Sequence, residues 1–299
     1  MKITTYRELQ SKDELLPLWW PFNPREFEKV IKVDRRLQNN PVGYVAIEDD
    51  QAVGFAGIMD IDTRILEDSQ EKVGGIWGVV THPAYARRGI STTLMQKCHE
   101  YFRKGGYKFS LLNTSKSLVA YAFYQKLGYR DVTVYPSVYK VIIETKTSTK
   151  KTREKVELNW KKILTIYNQA TKGLTGFVIR DRQYGRMLEA RKTIQPEKCI
   201  VTPKGYALLS DTEGSITVQE LTALTKEEIS KLITQVEARA KKTVVDQAVL
   251  DENLQKTYQS HGFMMLEDSY NVLMYKSLTD TTFAETYGNK FYATAADFF

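Results

Sequence analysis

The chain has 299 residues, 42% of them hydrophobic, and a formal net charge of +7. That length suits two domains of moderate size. No apolar run reaches the roughly 18 residues of a membrane span, and Met1–Glu8 lacks the apolar core of a leader peptide, so a cytoplasmic, non-membrane protein is expected. Cys98, Cys199 and the scattered His82, His99 and His261 exclude a disulfide framework and give no metal-ligand spacing. The positive balance favours anionic ligands.

In chain order, Lys2–Tyr6 reads as an opening strand, and Lys12–Leu37 as helical but interrupted at Pro21 and Pro24. Gly43–Glu48 and Ala52–Ile61 are strands joined by the acidic turn Asp49-Asp50, and Lys72–Val80 is a third. The next helix places Leu94, Met95, Cys98, Tyr101 and Phe102 on one face and stops at Gly105-Gly106. Lys108–Asn113 is extended. Ser117–Leu127 reads as a helix with Leu118, Val119, Ala122, Phe123 and Leu127 inward, and a strand pair follows from about Arg130 to Ile143. The alternation predicts an α/β (α+β) layered domain.

Lys146, Lys150, Lys151, Arg153 and Lys155 then make a basic run without interleaved aromatics. It reads as a solvated linker at 146–154, and nucleic acid is not expected. Beyond it, Trp160, Ile163, Leu164 and Tyr167 fall at helical spacing, Gly205–Ser210 and Ser215–Leu224 read as strands, and Lys226–Lys242 as an amphipathic helix. Tyr258-Gln-Ser-His-Gly-Phe263 before the strand pattern Ser269–Tyr275 echoes Tyr124-Gln-Lys-Leu-Gly-Tyr129, which points to an internal duplication.

The segment from Trp77 to Met95 is a strand, a donor-rich turn and a helix. Gly89 lets the backbone approach an anion, Arg87 and Arg88 add charge, and the free amides of the helix start face the same point. The turn is built for a phosphate or pyrophosphate. The second copy enters its helix through Leu224-Thr-Lys-Glu-Glu228, with no glycine and two acids, so it reads as degenerate.

Ala86-Arg87-Arg88-Gly89-Ile90-Ser91 resembles the Arg/Gln-x-x-Gly-x-Gly/Ala loop of the GCN5-related N-acetyltransferase (GNAT) superfamily. Ala86 and Ser91 depart from that pattern. Ser117-Leu-Val-Ala120-Tyr-Ala-Phe-Tyr124-Gln-Lys-Leu-Gly128-Tyr129 resembles the family's second signature, with Ser117 in place of asparagine. Two fused copies with one intact site are similar to the Eis (enhanced intracellular survival) acetyltransferases, without room for their third, sterol-carrier-like domain. The resemblance implies two tandem GNAT-like domains, each a mixed, largely antiparallel sheet flanked by helices. They would be a catalytic domain at 1–145 and a degenerate one at 155–278, with a tail, 279–299, docking toward the active site.

The implied co-substrate is acetyl-coenzyme A, without a metal, and the implied reaction is direct acetyl transfer to a primary amine of a small molecule or peptide, such as an aminoglycoside or polyamine. A peptidyl or longer-chain acyltransferase and a non-catalytic coenzyme-binding sensor are the alternatives, and a homo-oligomer is left open. Gly78, Val79 and Val80 are expected to pair with the pantetheine arm. Arg87, Arg88, Gly89, Ile90, Ser91, Thr92 and Ser117 would complete the coenzyme site. The resemblance makes Tyr124 the general acid and the terminal carboxylate of Phe299 a base. No acid lies on Gly74–Val80, which leaves Asp297 and Asp60 or Asp62 as other bases. Trp20 and Phe22, beside Trp19 and Phe27, suit a cationic acceptor through their ring faces, or else anchor short helices.

Overall fold

In a computed structural model the described residues are 1–18, 24–143, 157–266 and 271–297. The first half contains β1 (Lys2–Thr5), α1 (Pro24–Val33), β2 (Gly43–Glu48), β3 (Gln51–Arg64), β4 (Gln70–Thr81), α2 (Ile90–Lys104), β5 (Phe109–Ser115), α3 (Val119–Lys126), β6 (Arg130–Val134) and β7 (Ser137–Val141). The second contains α4 (Trp160–Ala170), α5 (Tyr184–Ala190), β8 (Ile200–Val201), β9 (Gly205–Thr212), β10 (Ser215–Ala223), α6 (Lys226–Glu237), β11 (Thr243–Asp246), α7 (Glu252–Ser260), β12 (Met264–Leu266), β13 (Asn271–Ser277) and α8 (Phe283–Tyr287). No helix among the described residues is long and apolar enough to cross a membrane.

The elements form two compact units, Met1–Thr133 with Asn271–Phe291, and Val134–Tyr270 with Tyr292–Phe298. The first sheet runs β1-β2-β3-β4-β5-β13-β6 and the second β12-β7-β11-β10-β9-β8. Among the described pairings each is mixed and mostly antiparallel, with β4 parallel to β5 in the first and β10 parallel to β11 in the second. This is the fold class expected. The strand pair read over 130–143, however, does not stay together. β6 remains in the first sheet while β7 pairs antiparallel with β11 and β12, and β13 pairs antiparallel with β5. The halves thus exchange one strand each, so the compact units cross the divisions drawn along the sequence. Tyr135-Pro136 separates β6 from β7, and proline's missing N–H interrupts a ladder there.

In the first unit, Leu94, Met95, Cys98 and Phe102 of α2 are buried against Ile58, Ile76, Leu112 and Met274 of the sheet. Four such side chains contribute about 1.5–3 kcal/mol each. Burial also pushes the Cys98 thiol up, so it is packing rather than a nucleophile. The hairpin turn expected between β2 and β3 has Asp49 and Asp50 at φ 51° and 58°, the left-handed pair of a two-residue hairpin.

The second unit has its own core, built from Ile216, Val218, Leu232, Ile233, Val236, Val244, Tyr258 and Phe263. α6 stops at Glu237, short of the expected Lys242, because the N–H groups of Lys241 and Lys242 both donate to the Gly214 carbonyl, at 2.8 and 2.9 Å. The chain then enters β11, a strand too short for sequence periodicity to reveal.

Candidate functional site

β4 and β5 pair only at Gly74–Ser110, Gly75–Leu111 and Ile76–Leu112, although both strands run on, to Thr81 and Ser115. They splay because β4 is bulged. Between the pairs Phe55–Val80 and Gly57–Trp77, the two residues Gly78 and Val79 oppose Ala56 alone. Gly78 sits at φ 59°, a left-handed backbone that favours glycine. The backbone edge of Gly78, Val79 and Val80 on the β5 side therefore meets no strand, and an extended amide-bearing ligand can add to it.

Beyond the bulge, the His82 ring accepts a hydrogen bond from the Ala84 N–H (3.3 Å) and caps a short 3-10 turn at Pro83–Tyr85. Arg87 and Gly89 follow at φ 62° and 78°. Gly89 is the N-cap of α2 and supplies no side chain to its amides. The first bond of the helix runs from the Thr93 N–H to the Gly89 carbonyl at 3.0 Å, leaving the amides of Ile90, Ser91 and Thr92 without intrahelical partners. A β-carbon on Gly89 would meet nothing within 4 Å, so the space over this turn is open.

The side chains around the turn divide the work. Arg87 is exposed and makes no ion pair among the described residues, whereas Arg88 lies 3.5 Å from Glu48 and 4.9 Å over the Tyr85 ring. Ser91, expected to face the phosphate, shares a hydrogen bond with Thr81 (2.6 Å) and ties α2 to β4. Ile90 is buried, so it can offer only its amide. An uncapped helix start, an open glycine and two adjacent guanidinium groups fit a pyrophosphate.

Tyr124 lies on α3, which packs on β5. Its side chain is 7% exposed within the cluster that includes Ile76, Leu112 and Met95. Burial pushes the phenol up to about 12, so it keeps its proton at neutral pH. Its hydroxyl makes no hydrogen bond among the described residues. Ser117 lies outside the helix: α3 begins at Val119, and the Ser117 hydroxyl bonds that of Ser115 at 2.8 Å. Leu118 and Val119 are 56% and 91% exposed and Ala122 is exposed, contrary to the inward face expected. Leu118 is the N-cap, before the first turn, and the inward face is that of Ala120, Phe123, Tyr124 and Leu127, which leaves Val119 and Ala122 on the other side.

Asp60 accepts a hydrogen bond from the Tyr107 hydroxyl at 2.9 Å and pairs in register with Gly74, four residues from Gly78 along β4. At about 3.3 Å per residue that is about 13 Å from the bulge. Asp297 is 3% exposed in the second unit. It accepts from the Arg180 guanidinium (2.9 Å) and from Tyr184, and Arg180 also grips Glu220. Burial alone would raise Glu220, but Arg180, Thr294 and Tyr206 hold it below the ordinary carboxylate range. Asp297 is thus occupied by an ion pair. Trp20, Phe22 and Phe299, with Trp19, lie outside the described residues. The sequence reading missed Thr81 and Glu48, which brace Ser91 and Arg88. A hydroxyl at a strand end and an acid before a turn carry no distinguishing pattern.

Residues 7–129 match the model of the acetyltransferase (GNAT) family. No curated protein matches the sequence. Among solved structures, the chain resembles a GCN5-related N-acetyltransferase from Kribbella flavida (TM-score 0.61, 16% identity), with 85% of this chain and 64% of that one covered. It is thus matched over less than two thirds of that protein. It also resembles Eis1 from Mycobacterium abscessus (TM-score 0.59, 17% identity, 93% of this chain and 74% of that one). A putative acetyltransferase from Pyrococcus horikoshii is similar over 98% of this chain and 94% of its own (TM-score 0.56, 17% identity). These identities establish the fold. Residues 7–129 thus match the acetyltransferase (GNAT) family, and the fold of the chain is similar to that of GNAT acetyltransferase structures.

Proposed function

We propose that the chain transfers an acetyl group from acetyl-coenzyme A directly to a primary amine, using one coenzyme site, in the first unit. The carrying observation is Tyr124: a buried phenol held protonated, with no protein partner for its hydroxyl among the described residues, on the helix beside the splayed strands. Acetyl-coenzyme A supplies the activated thioester. The edge of Gly78, Val79 and Val80 binds its amide-bearing arm, and the amides of Ile90, Ser91 and Thr92 with Arg87 and Arg88 bind its pyrophosphate.

The neutral amine attacks the thioester carbonyl, forming the C–N bond as the C–S bond breaks. Tyr124 gives its proton to the departing sulfur, which leaves as the thiol. The amine's surplus proton goes to a base. Asp60 and Asp297 already accept hydrogen bonds from Tyr107 and from Arg180, so the role is assigned to the Phe299 carboxylate, with Asp62 as the alternative. Ser117 is assigned to the coenzyme arm, and Trp20 and Phe22, outside the described residues, to recognition of the acceptor.

Release of free coenzyme A across an amine panel, by the intact chain, Tyr124→Phe and a chain lacking Phe298 and Phe299, tests this. Turnover that falls in both variants while coenzyme binding persists supports the reading. Full turnover in Tyr124→Phe removes the acid, full turnover in the truncation removes the base, and binding without turnover on any amine points to a sensor.

A further inference from the structure

The second sheet opens as the first does. β10 and β11 run parallel from Ser215–Thr243 to Val218–Asp246, β11 ends there, and β10 continues to Ala223. Beyond the end of that pairing, in the second unit alone, lies a cavity of about 270 Å³. Leu221 and Leu224 line it together with Ile229 of α6 and Leu254 of α7. Phe177 and Tyr292 complete the wall, their rings stacked at 5.6 Å and 5°.

This cleft differs from its counterpart where an anion would bind. Both helices that start at it are capped by the protein's own side chains. Thr225 accepts from the Glu228 N–H at 3.3 Å, and Asp251 accepts from the Leu254 N–H at 2.7 Å. Asp251 and Lys226 are the charged side chains that line the cavity, and Glu227, Glu228 and Glu252 stand in the first turns of the two helices. A phosphate would meet one capped amide in each helix and the Asp251 carboxylate, whereas a cation would meet lone pairs that the caps leave unused.

We propose that this cavity binds an amphipathic amine, its apolar body against the Phe177–Tyr292 stack and its ammonium at the Asp251 rim. At about 30 Å³ per water the space equals roughly nine waters, which suits a single aromatic ring with a short aminoalkyl arm. Aromatic faces add to the attraction for the cation. The inference is independent of the catalytic reading of the first unit.

The test is titration of the full chain with phenethylamine, 2-phenylethanol and phenethyl phosphate. The methyl NMR signals of Leu221, Leu224, Ile229 and Leu254 locate binding. Phenethylamine shifts these methyls saturably and more tightly than the alcohol, and the phosphate does not shift them. Asp251→Asn keeps the helix cap but weakens the amine about twofold to fivefold, the size of an exposed ion pair, without changing the alcohol. Unmoved methyls, a phosphate as tight as the amine, or an Asp251→Asn variant with unchanged amine affinity would overturn the proposal.

Discussion

Tyr124 and Tyr258 close corresponding helices in the two sheets. Each follows the last paired residue of the parallel strand, Leu112 or Asp246, at the same spacing. In the second unit the Tyr258 hydroxyl donates to the buried Asp246 carboxylate at 3.0 Å. In the first, Leu112 stands at that register and the Tyr124 hydroxyl has no hydrogen-bond partner among the described residues. The same contrast recurs at the helix starts: α2 has no side-chain cap at Gly89, and in α6 Thr225 caps the Glu228 amide. On the proposed reading, two similar sheets differ in the few side chains on which the chemistry depends.

The sharpest break of this comparison is Tyr124→Phe against Tyr258→Phe. Loss of a general acid lowers turnover about 10²- to 10⁴-fold in the first, measured by coenzyme A release, with coenzyme affinity kept. Arg180→Met strips the buried Glu220 and Asp297 of their counter-charge. It is expected to cost about 3–5 kcal/mol in denaturant unfolding.

Asp246 gives the second unit a pH signature. Burial raises its carboxyl to about 6, against the donors Ala248 N–H and Tyr258. The unfolded carboxyl titrates near about 3.9, so between about pH 4 and 6 the folded chain holds a proton that the unfolded chain has lost. Stability falls as pH rises through that window, by up to about 3 kcal/mol. Asp246→Asn flattens this slope in thermal melts and raises stability at pH 7. Glu220, held below its ordinary range, acts in the opposite sense at lower pH, where its contribution is lost as acid protonates it.

Tyr258→Phe removes a donor from the buried carboxylate. It costs about 1–3 kcal/mol of stability and leaves turnover unchanged. The smallest effect is expected from Gly89→Ala, which strains a backbone at φ 78° by about 1 kcal/mol and weakens coenzyme binding several-fold by calorimetry.

Much of this was legible from residues. The glycine, the arginines and the helix start at 86–92 mark a candidate anion cradle by local chemistry, and the face Leu94, Met95, Cys98, Phe102 specifies the packing of its helix. The strand exchange was not legible, because β7 and β13 carry the same alternation whichever sheet receives them. Nor was the inward face of α3, where Leu118 and Val119 look like core although Ala120, Phe123, Tyr124 and Leu127 take that side. Arg180 and Asp297, far apart in sequence, gave no sign of pairing, since a buried ion pair leaves no local periodicity.

The most direct measurement is amide hydrogen exchange of the intact chain with and without acetyl-coenzyme A. The account predicts protection at residues 77–81 and 87–92 and none at 219–228. Protection at 219–228 equal to that at 87–92 would contradict the assignment of a single coenzyme site to the first unit.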